Sequence, residues 1–349
     1  MARWLFRLSC ILSAFRWFES DVETPDQLFP LGEYHDLLTK GPFGDFRDAL
    51  AQDGFVVVPA IEQTKALEYR ERAFKWLEAR SWGNGGFKRG DVSTYVNENL
   101  PVGKKGGMIH NYSGSAEQWV WDIRCEPGVV GAFAKLFGTE DLISSFDAFS
   151  IMLPGRKDIK DLGKWEHTDQ SPSRVGIVNL NENGPEDGGL MVLKGSAALF
   201  KEFFDIEGRS EIRTWGPVDW YGFTEEQQQW FYSRGCEWVK VCAKPGDLIL
   251  WDSRTLHYNR PPSGERDRVC TYVCMAPSHL ASEEDRALRI EAFNYHRGTT
   301  HVPFANVFSR PHEPVIRLET GKPDPFDTGV PLEPVKLTPM VRQLVGLRD

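Results

Sequence analysis

Hydrophobic and polar positions divide this chain into a helical first part and a strand-rich second part. Residues Gly54–Ile61 (GFVVVPAI) form an apolar, β-branched run closed by Pro59, the pattern of a buried strand. Gln63–Arg80 then places Ala66, Tyr69, Ala73, Trp76 and Leu77 at three- and four-residue spacing, which predicts a helix with one apolar face. Residues 82–107 are rich in Gly, Lys and Asn and read as a long loop. Two shorter helices are predicted over Ala116–Ile123 and Val129–Phe137, the second stopped by Gly138. From about Leu142 the runs LISSFDAFSIML, RVGIVNL, GGLMVLKGS, WVKVCAKPGDLILWDS and RVCTYVCMA alternate with Gly, Pro, Asn and Asp clusters. Short strands punctuated in this way predict an antiparallel barrel or sandwich. A polar, Trp-containing insertion at 199–235 is expected to cover one mouth of that barrel. Ser282–Tyr295 reads as a helix capped by Ser282, and the last 40 residues, with seven prolines, are expected to wrap the surface.

Composition narrows the class. The 349 residues show no repeat and suffice for one large domain with extensions. A net charge of −9 disfavours a nucleic-acid groove or an anionic membrane surface as partner, since both need clustered cations. The six cysteines, at 10, 125, 236, 242, 270 and 274, form no C-x-x-C pair. Cys270 and Cys274 lie four apart in a strand-like run, which sets their Cα atoms about 13 Å apart, beyond the ~7 Å reach of a disulfide. A reducing compartment is expected, and a cytoplasmic location with it. The segment 1–20 reads as an N-terminal extension. Arg3, Arg7 and Arg16 and the absence of acids before Phe18 make a mitochondrial presequence the alternative. Its longest uncharged run, Leu8–Phe15, is eight residues and too short for a membrane span.

Candidate chemistry starts at Trp165-Glu166-His167-Thr168-Asp169-Gln170. In an extended chain, residues i and i+2 point to the same side, so His167 and Asp169 can converge on one metal ion. An H-x-D pair alone is weak. It is sharpened by Gly246–His257 (GDLILWDSRTLH), where a turn launches an apolar strand ending in a second histidine. Two histidines and one carboxylate with open positions beside them suit Fe(II) in oxygenases. After His257, Pro261-Pro262-Ser263-Gly264 is a strong turn signal, and a hairpin about it is expected to bring Arg268 across from His257. An arginine fork there suits the far carboxylate of an iron-chelating co-substrate. Arg266 has the same strand parity and is the competing candidate. Asp252 and Arg254 are expected to support strand geometry, and His35, His279, His296, His301 and His312 to be surface or packing residues.

On these residues the chain resembles the phytanoyl-CoA dioxygenase (PhyH-like) family of Fe(II)/2-oxoglutarate oxygenases, its fungal branch most of all. The resemblance covers roughly Asp53 to Pro277 through DGFVVVPA, SFDAFSIMLP, HTDQ, NENGPEDGGLMVLKGS and GDLILWDSRTLHYNRPP. It implies a double-stranded β-helix (jelly-roll, cupin-like) core at about 141–280 with N-terminal helices. A single domain over 21–349 and a C-terminal helix and tail at 281–349 complete the expected organisation. It implies that His167, Asp169 and His257 bind iron and that Arg268 grips 2-oxoglutarate. The family's Pro-Gly-Ser-His turn reads Lys194-Gly195-Ser196-Ala197 here, a change at a structural position. His110, Asn111 and Tyr112 are pocket candidates, with structural roles as the alternative. Related halogenases lack the carboxylate that Asp169 supplies, so hydroxylation or another C–H oxidation is expected. The implied reaction consumes 2-oxoglutarate and O2, releases succinate and CO2, and oxidises a C–H bond of a small molecule. Acyl-CoA, amino acid and secondary metabolite all remain open as substrate. Two other readings are a metal-dependent hydrolase or isomerase, which has no use for Arg268, and a non-catalytic jelly roll, which has no reason to retain all three ligands.

Overall fold

The computed structural model describes residues 41–80, 86–103, 107–156, 158, 165–169, 174–208, 220–304, 307 and 312–347. The N-terminal extension over 1–20 and the middle of the 199–235 insertion lie outside them.

Helix α1 (Phe46–Asp53) starts at Asp45, whose side chain accepts from Arg47 N, and ends at Gly54 in the left-handed region at φ +83°. Strand β1 (Phe55–Pro59) follows, then α2 (Gln63–Ala79), whose buried face includes all five residues predicted for it. Strand β2 (Met108–Ile109), α3 (Gln118–Arg124) and α4 (Pro127–Phe137) complete the helical part, α4 stopping at Gly138 with φ +68°. The strands of the second part are β3 (Leu142–Ser144), β4 (Phe149–Met152), β5 (His167–Asp169), β6 (Arg174–Asn179) and β7 (Gly189–Lys194). After α5 (Ser196–Phe203), β8 (Trp220–Gly222) and α6 (Glu225–Tyr232) come β9 (Glu237–Lys240), β10 (Asp247–Asp252), β11 (His257–Arg260) and β12 (Arg268–Pro277). Helices α7 (Glu283–Asn294) and α8 (Pro339–Val345) close the described chain.

The strands form two antiparallel sheets. The larger has the order β1-β10-β6-β12-β4-β2, with β3 also on β12, and the smaller has the order β8-β5-β11-β7-β9. From β4 to β7 the chain alternates between the sheets, and it does so again from β9 to β12. This winding is the double-stranded β-helix of a jelly roll, with helices laid over the outside of the larger sheet. The runs read as continuously apolar because both faces of the larger sheet are covered. In β10, Ile249 and Trp251 face the inter-sheet core with Val175, Ile177, Leu190, Val192 and Tyr272. Leu248 and Leu250 face the other way, into the core built with α2, α3 and α4.

Four expectations change. Strand β1 is half-buried rather than buried, because it is the edge strand and pairs only with β10. The hairpin across Pro261–Gly264 does not form: β11 pairs with β5 and β7, whereas β12 pairs with β3, β4 and β6 in the other sheet. The turn carries the chain between sheets instead of reversing it within one. The described part of the insertion is not polar throughout: it assembles Phe203, Phe204, Tyr221, Phe223 and Phe231 into an apolar cluster, and β8 extends the smaller sheet beside β5, while the rest of the expected cover lies outside the described residues. The tail does more than wrap the surface: Val341, Leu344 and Val345 enter the main core. Arg289, fully buried on α7, locks this end by donating to the carbonyls of Ser144, Pro303, Leu344 and Val345 at 2.8, 3.0, 2.8 and 3.2 Å. Among the described residues no helix is long and apolar enough to cross a membrane.

Candidate active site

Antiparallel pairing places His257 directly opposite His167, and strand parity puts Asp169 on the same inward face of the smaller sheet. All three are buried. One ligand atom from each lies within 4.8 Å of the other two. His167 Nε2 is 3.9 Å from Asp169 Oδ1, and His257 Nε2 is 3.6 Å from Asp169 Oδ2.

Both imidazoles are oriented the same way. With Nδ1 protonated, His167 donates to Trp165 O and His257 to Thr255 O, each at 2.8 Å, so each Nε2 lone pair is directed inward. Burial, assisted by the neighbouring His257, pushes the His167 pKa down to about 3, which keeps that ring neutral and able to ligate. The indole of Trp165 stacks on His167 with centroids 4.2 Å apart.

The surroundings hold the three residues in place. Asp169 N donates to Ser253 O at 3.0 Å. Leu256 N donates to Ser196 Oγ at 2.9 Å, so the Lys194-Gly195-Ser196-Ala197 turn buttresses His257, with Gly195 at φ +83°. Gly54 must lack a side chain, because a Cβ there would stand 2.4 Å from Thr255 Oγ1. Thr255 is the residue whose carbonyl orients His257. Arg254 grips Asp252 through Nε and Nη2 at 2.9 and 2.6 Å, a brace within the turn rather than chemistry.

Arg268 rises from the facing, larger sheet. It is 1% exposed, and among the described residues its Nη1 and Nη2 have no hydrogen-bond partner at normal distance, although the Tyr272 hydroxyl interacts with the guanidinium. A buried guanidinium whose fork lacks such partners is a costly arrangement unless an anionic ligand completes it. Gly189 makes room for it: at φ +129°, an added Cβ would stand 2.7 Å from Arg268 Nε. Tyr272, two strand positions of the same parity further on, contributes a buried hydroxyl held neutral by its burial. Arg266 is differently placed, with its side chain 54% exposed and bound to Asp187 at 2.8 Å.

Among the pocket candidates, Tyr112 is structural: its hydroxyl donates to Asp324 and its backbone N–H to Asp327, clasping the tail. His110 lies beside Asp147 at 4.0 Å. Three residues escaped the sequence reading. Gly189 was signalled only by the Gly188-Gly189 pair. Lys240, which donates to Asn183 Oδ1 at 2.6 Å and lies within electrostatic reach of Arg268, had no distinguishing signal. His301, expected as a surface or packing residue, has its Nε2 3.8 Å from Asp169 Oδ2.

The donor set fits a divalent transition metal of oxygenase type, two imidazoles and one carboxylate on one face. No family model matches the chain. Among solved structures, it is similar to the epimerase SnoN in complex with Fe3+, alpha ketoglutarate and nogalamycin RO, at 17% identity and TM-score 0.45, over 70% of this chain and 84% of that one. It is also similar to EctD from S. alaskensis with 2-oxoglutarate and 5-hydroxyectoine, at 16% identity and TM-score 0.44, over 66% and 75%. A much stronger likeness is to the Ava biosynthesis cluster protein O of Aspergillus versicolor, 36% identical over 278 residues that span 77% of this chain and 89% of that protein. At that identity and coverage, the chain belongs to the family of the Ava biosynthesis cluster protein O.

Proposed function

We propose that this protein is an Fe(II)- and 2-oxoglutarate-dependent dioxygenase of the PhyH-like kind that oxidises a C–H bond of a small biosynthetic intermediate. One observation carries the reading: an inward His-Asp-His set on one sheet faces, on the other, a buried arginine whose Nη groups meet no hydrogen-bond partner at normal distance among the described residues. A metal-dependent hydrolase needs only the first half of that arrangement. The relative from a biosynthesis cluster supports a secondary metabolite as the substrate class.

His167, Asp169 and His257 would hold the iron, and Arg268 would hold the far carboxylate of 2-oxoglutarate. Bound iron with 2-oxoglutarate and O2 supplies the oxidising chemistry, with succinate and CO2 as co-products and hydroxylation the default outcome. The chain's own contribution is placement. The Nδ1–H bonds to Trp165 and Thr255 fix the two rings before any ligand arrives, which removes their reorganisation from the binding step. Gly189 and Tyr272 shape the slot in which Arg268 works. Trp165, stacked on His167, shields that side of the site from water. The insertion and the tail flank β5 and are the parts assigned to substrate choice.

The test is succinate formation from 2-oxoglutarate under Fe(II) and ascorbate, screened across biosynthetic intermediates, with metal content measured on the purified protein. Substrate-dependent succinate that disappears in His167→Ala is the expected result. A protein that takes up no Fe(II) and turns over no 2-oxoglutarate refutes the proposal.

A further inference from the structure

The segment that follows α7 delivers a third imidazole to the metal-binding group, and it is anchored on both sides of that residue. Before it, Thr299 and Phe146 exchange two hydrogen bonds, Thr299 N to Phe146 O at 3.1 Å and Phe146 N to Thr299 Oγ1 at 3.0 Å. After it, Val302 and Phe304 are buried with Ile143, Ala276 and Ala281. Pro303 O accepts from the buried Arg289. His301 lies between these anchors, about one-fifth exposed, with Nε2 3.8 Å from Asp169 Oδ2.

Its relation to the three candidate ligands is asymmetric. The set of ligand atoms that share one centre consists of His167, Asp169 and His257 and leaves His301 outside. Asp169 Oδ1 faces His167 Nε2 at 3.9 Å, whereas Oδ2 is approached from two sides, by His257 Nε2 at 3.6 Å and by His301 Nε2 at 3.8 Å. A carboxylate that gives one oxygen to a metal leaves the other with a lone pair to satisfy in a buried place, and without a donor there it is free to rotate or to chelate through both oxygens. Chelation through both would occupy a position that the co-substrate or O2 needs.

We infer that His301 is a positioning residue: its Nε2, 3.8 Å from Asp169 Oδ2, restrains that carboxylate so that it serves the metal through one oxygen. The inference rests on the iron-site reading above and adds to it a residue from the C-terminal part of the chain. His301 touches neither co-substrate nor reacting atoms in this role. It acts through Asp169, and the anchors at Thr299 and Pro303 exist to keep it there.

The test uses Co(II) as the probe, titrated into the full-length wild type, His301→Gln, His301→Ala and His167→Ala, and read by visible absorption. Glutamine places an amide N–H close to where the imidazole Nε2 stands. The expected result is a loss of Co(II) affinity of about 10- to 100-fold in His301→Ala, with His301→Gln within about threefold of wild type. The saturated spectra of wild type and both His301 variants should show the same coordination number. Unchanged affinity in His301→Ala overturns the inference. So does His301→Gln as weak as His301→Ala, or a saturated His301→Ala spectrum with one ligand fewer, since either makes the imidazole itself a ligand. A wild type that binds no Co(II), indistinguishable from His167→Ala, overturns the iron-site reading instead and the inference with it. Thermal unfolding of the metal-free variants separates a lost contact from a lost fold.

Discussion

Replacing Arg268 by Met tests the co-substrate half of the site. Methionine keeps the length and apolar stem of the side chain and removes the fork. In the wild type the guanidinium is buried and its Nη groups meet no hydrogen-bond partner at normal distance among the described residues, so an incoming carboxylate would gain two charge-assisted hydrogen bonds in a water-poor place. Without them that carboxylate enters as an uncompensated buried charge, a loss of about 3–5 kcal/mol. This corresponds to roughly two to four powers of ten in the 2-oxoglutarate dissociation constant. Arg268→Lys restores a point charge without the fork and should recover about half of the loss on the logarithmic scale. Anaerobic titration of 2-oxoglutarate into the Fe(II)-loaded protein, followed by tryptophan fluorescence, measures it. Fe(II) affinity should not change, because Arg268 stands on the sheet opposite the metal ligands. Arg266→Met, which breaks only the half-exposed pair with Asp187, should move 2-oxoglutarate affinity less than about threefold. Arg268→Met within threefold of wild type, or equal losses at both arginines, refutes the assignment.

Three further outcomes follow from the same geometry. Gly189→Ala forces a Cβ to 2.7 Å from Arg268 Nε at φ +129°, so the apparent KM for 2-oxoglutarate should rise at least about tenfold while Fe(II) affinity holds; an unchanged KM counts against the seating role. Arg289→Met leaves the carbonyls of Ser144, Pro303, Leu344 and Val345 without their donor, and urea unfolding should show a loss of about 2–4 kcal/mol. Lys240 gives a pH signature, because burial chiefly, with help from Arg268, pushes its pKa down to about 8 from 10.5. Between those values the unfolded chain binds a proton that the folded one has released, so this group makes stability rise with pH across that window. Urea midpoints at about pH 7.5 and about pH 9.5 should show that rise in wild type and not in Lys240→Met.

How much of this was legible in the sequence depended on how local each signal is. The inward pairing of His167 with Asp169 follows from strand parity, which two residues suffice to set. His257 stood out because Gly246 and Asp247 launch an apolar run that leads to it, but that run ends as β10 at Asp252 and His257 instead opens β11 in the other sheet. The sheet that β12 joins was not legible either, since Pro261–Gly264 encodes a change of direction but not the sheet that the next strand enters. That choice is made by distant pairings, Arg268 with Met152 and Cys270 with Asn179. Choosing between Arg266 and Arg268 needed the position of Asp187, 79 residues before Arg266. His301 gave no spacing signal, because it reaches Asp169 through the Thr299–Phe146 contact, which spans 153 residues. The apolar cluster in the described part of the insertion was not legible, because its aromatic residues are dispersed among charges and converge only in three dimensions.

The candidate metal ligands and Arg268 sit on different sheets, and in the proposed reading this would give the co-substrate a second role. A dicarboxylate gripped at one end by the smaller sheet and at the other by the larger acts as a cross-brace between them. Its binding free energy is then also cohesion between the two layers, on the scale set by its concentration relative to its dissociation constant. In the proposed cycle that brace is shortened by one carbon, released and replaced at every turnover. The stiffness of the scaffold would therefore track the supply of the molecule it consumes.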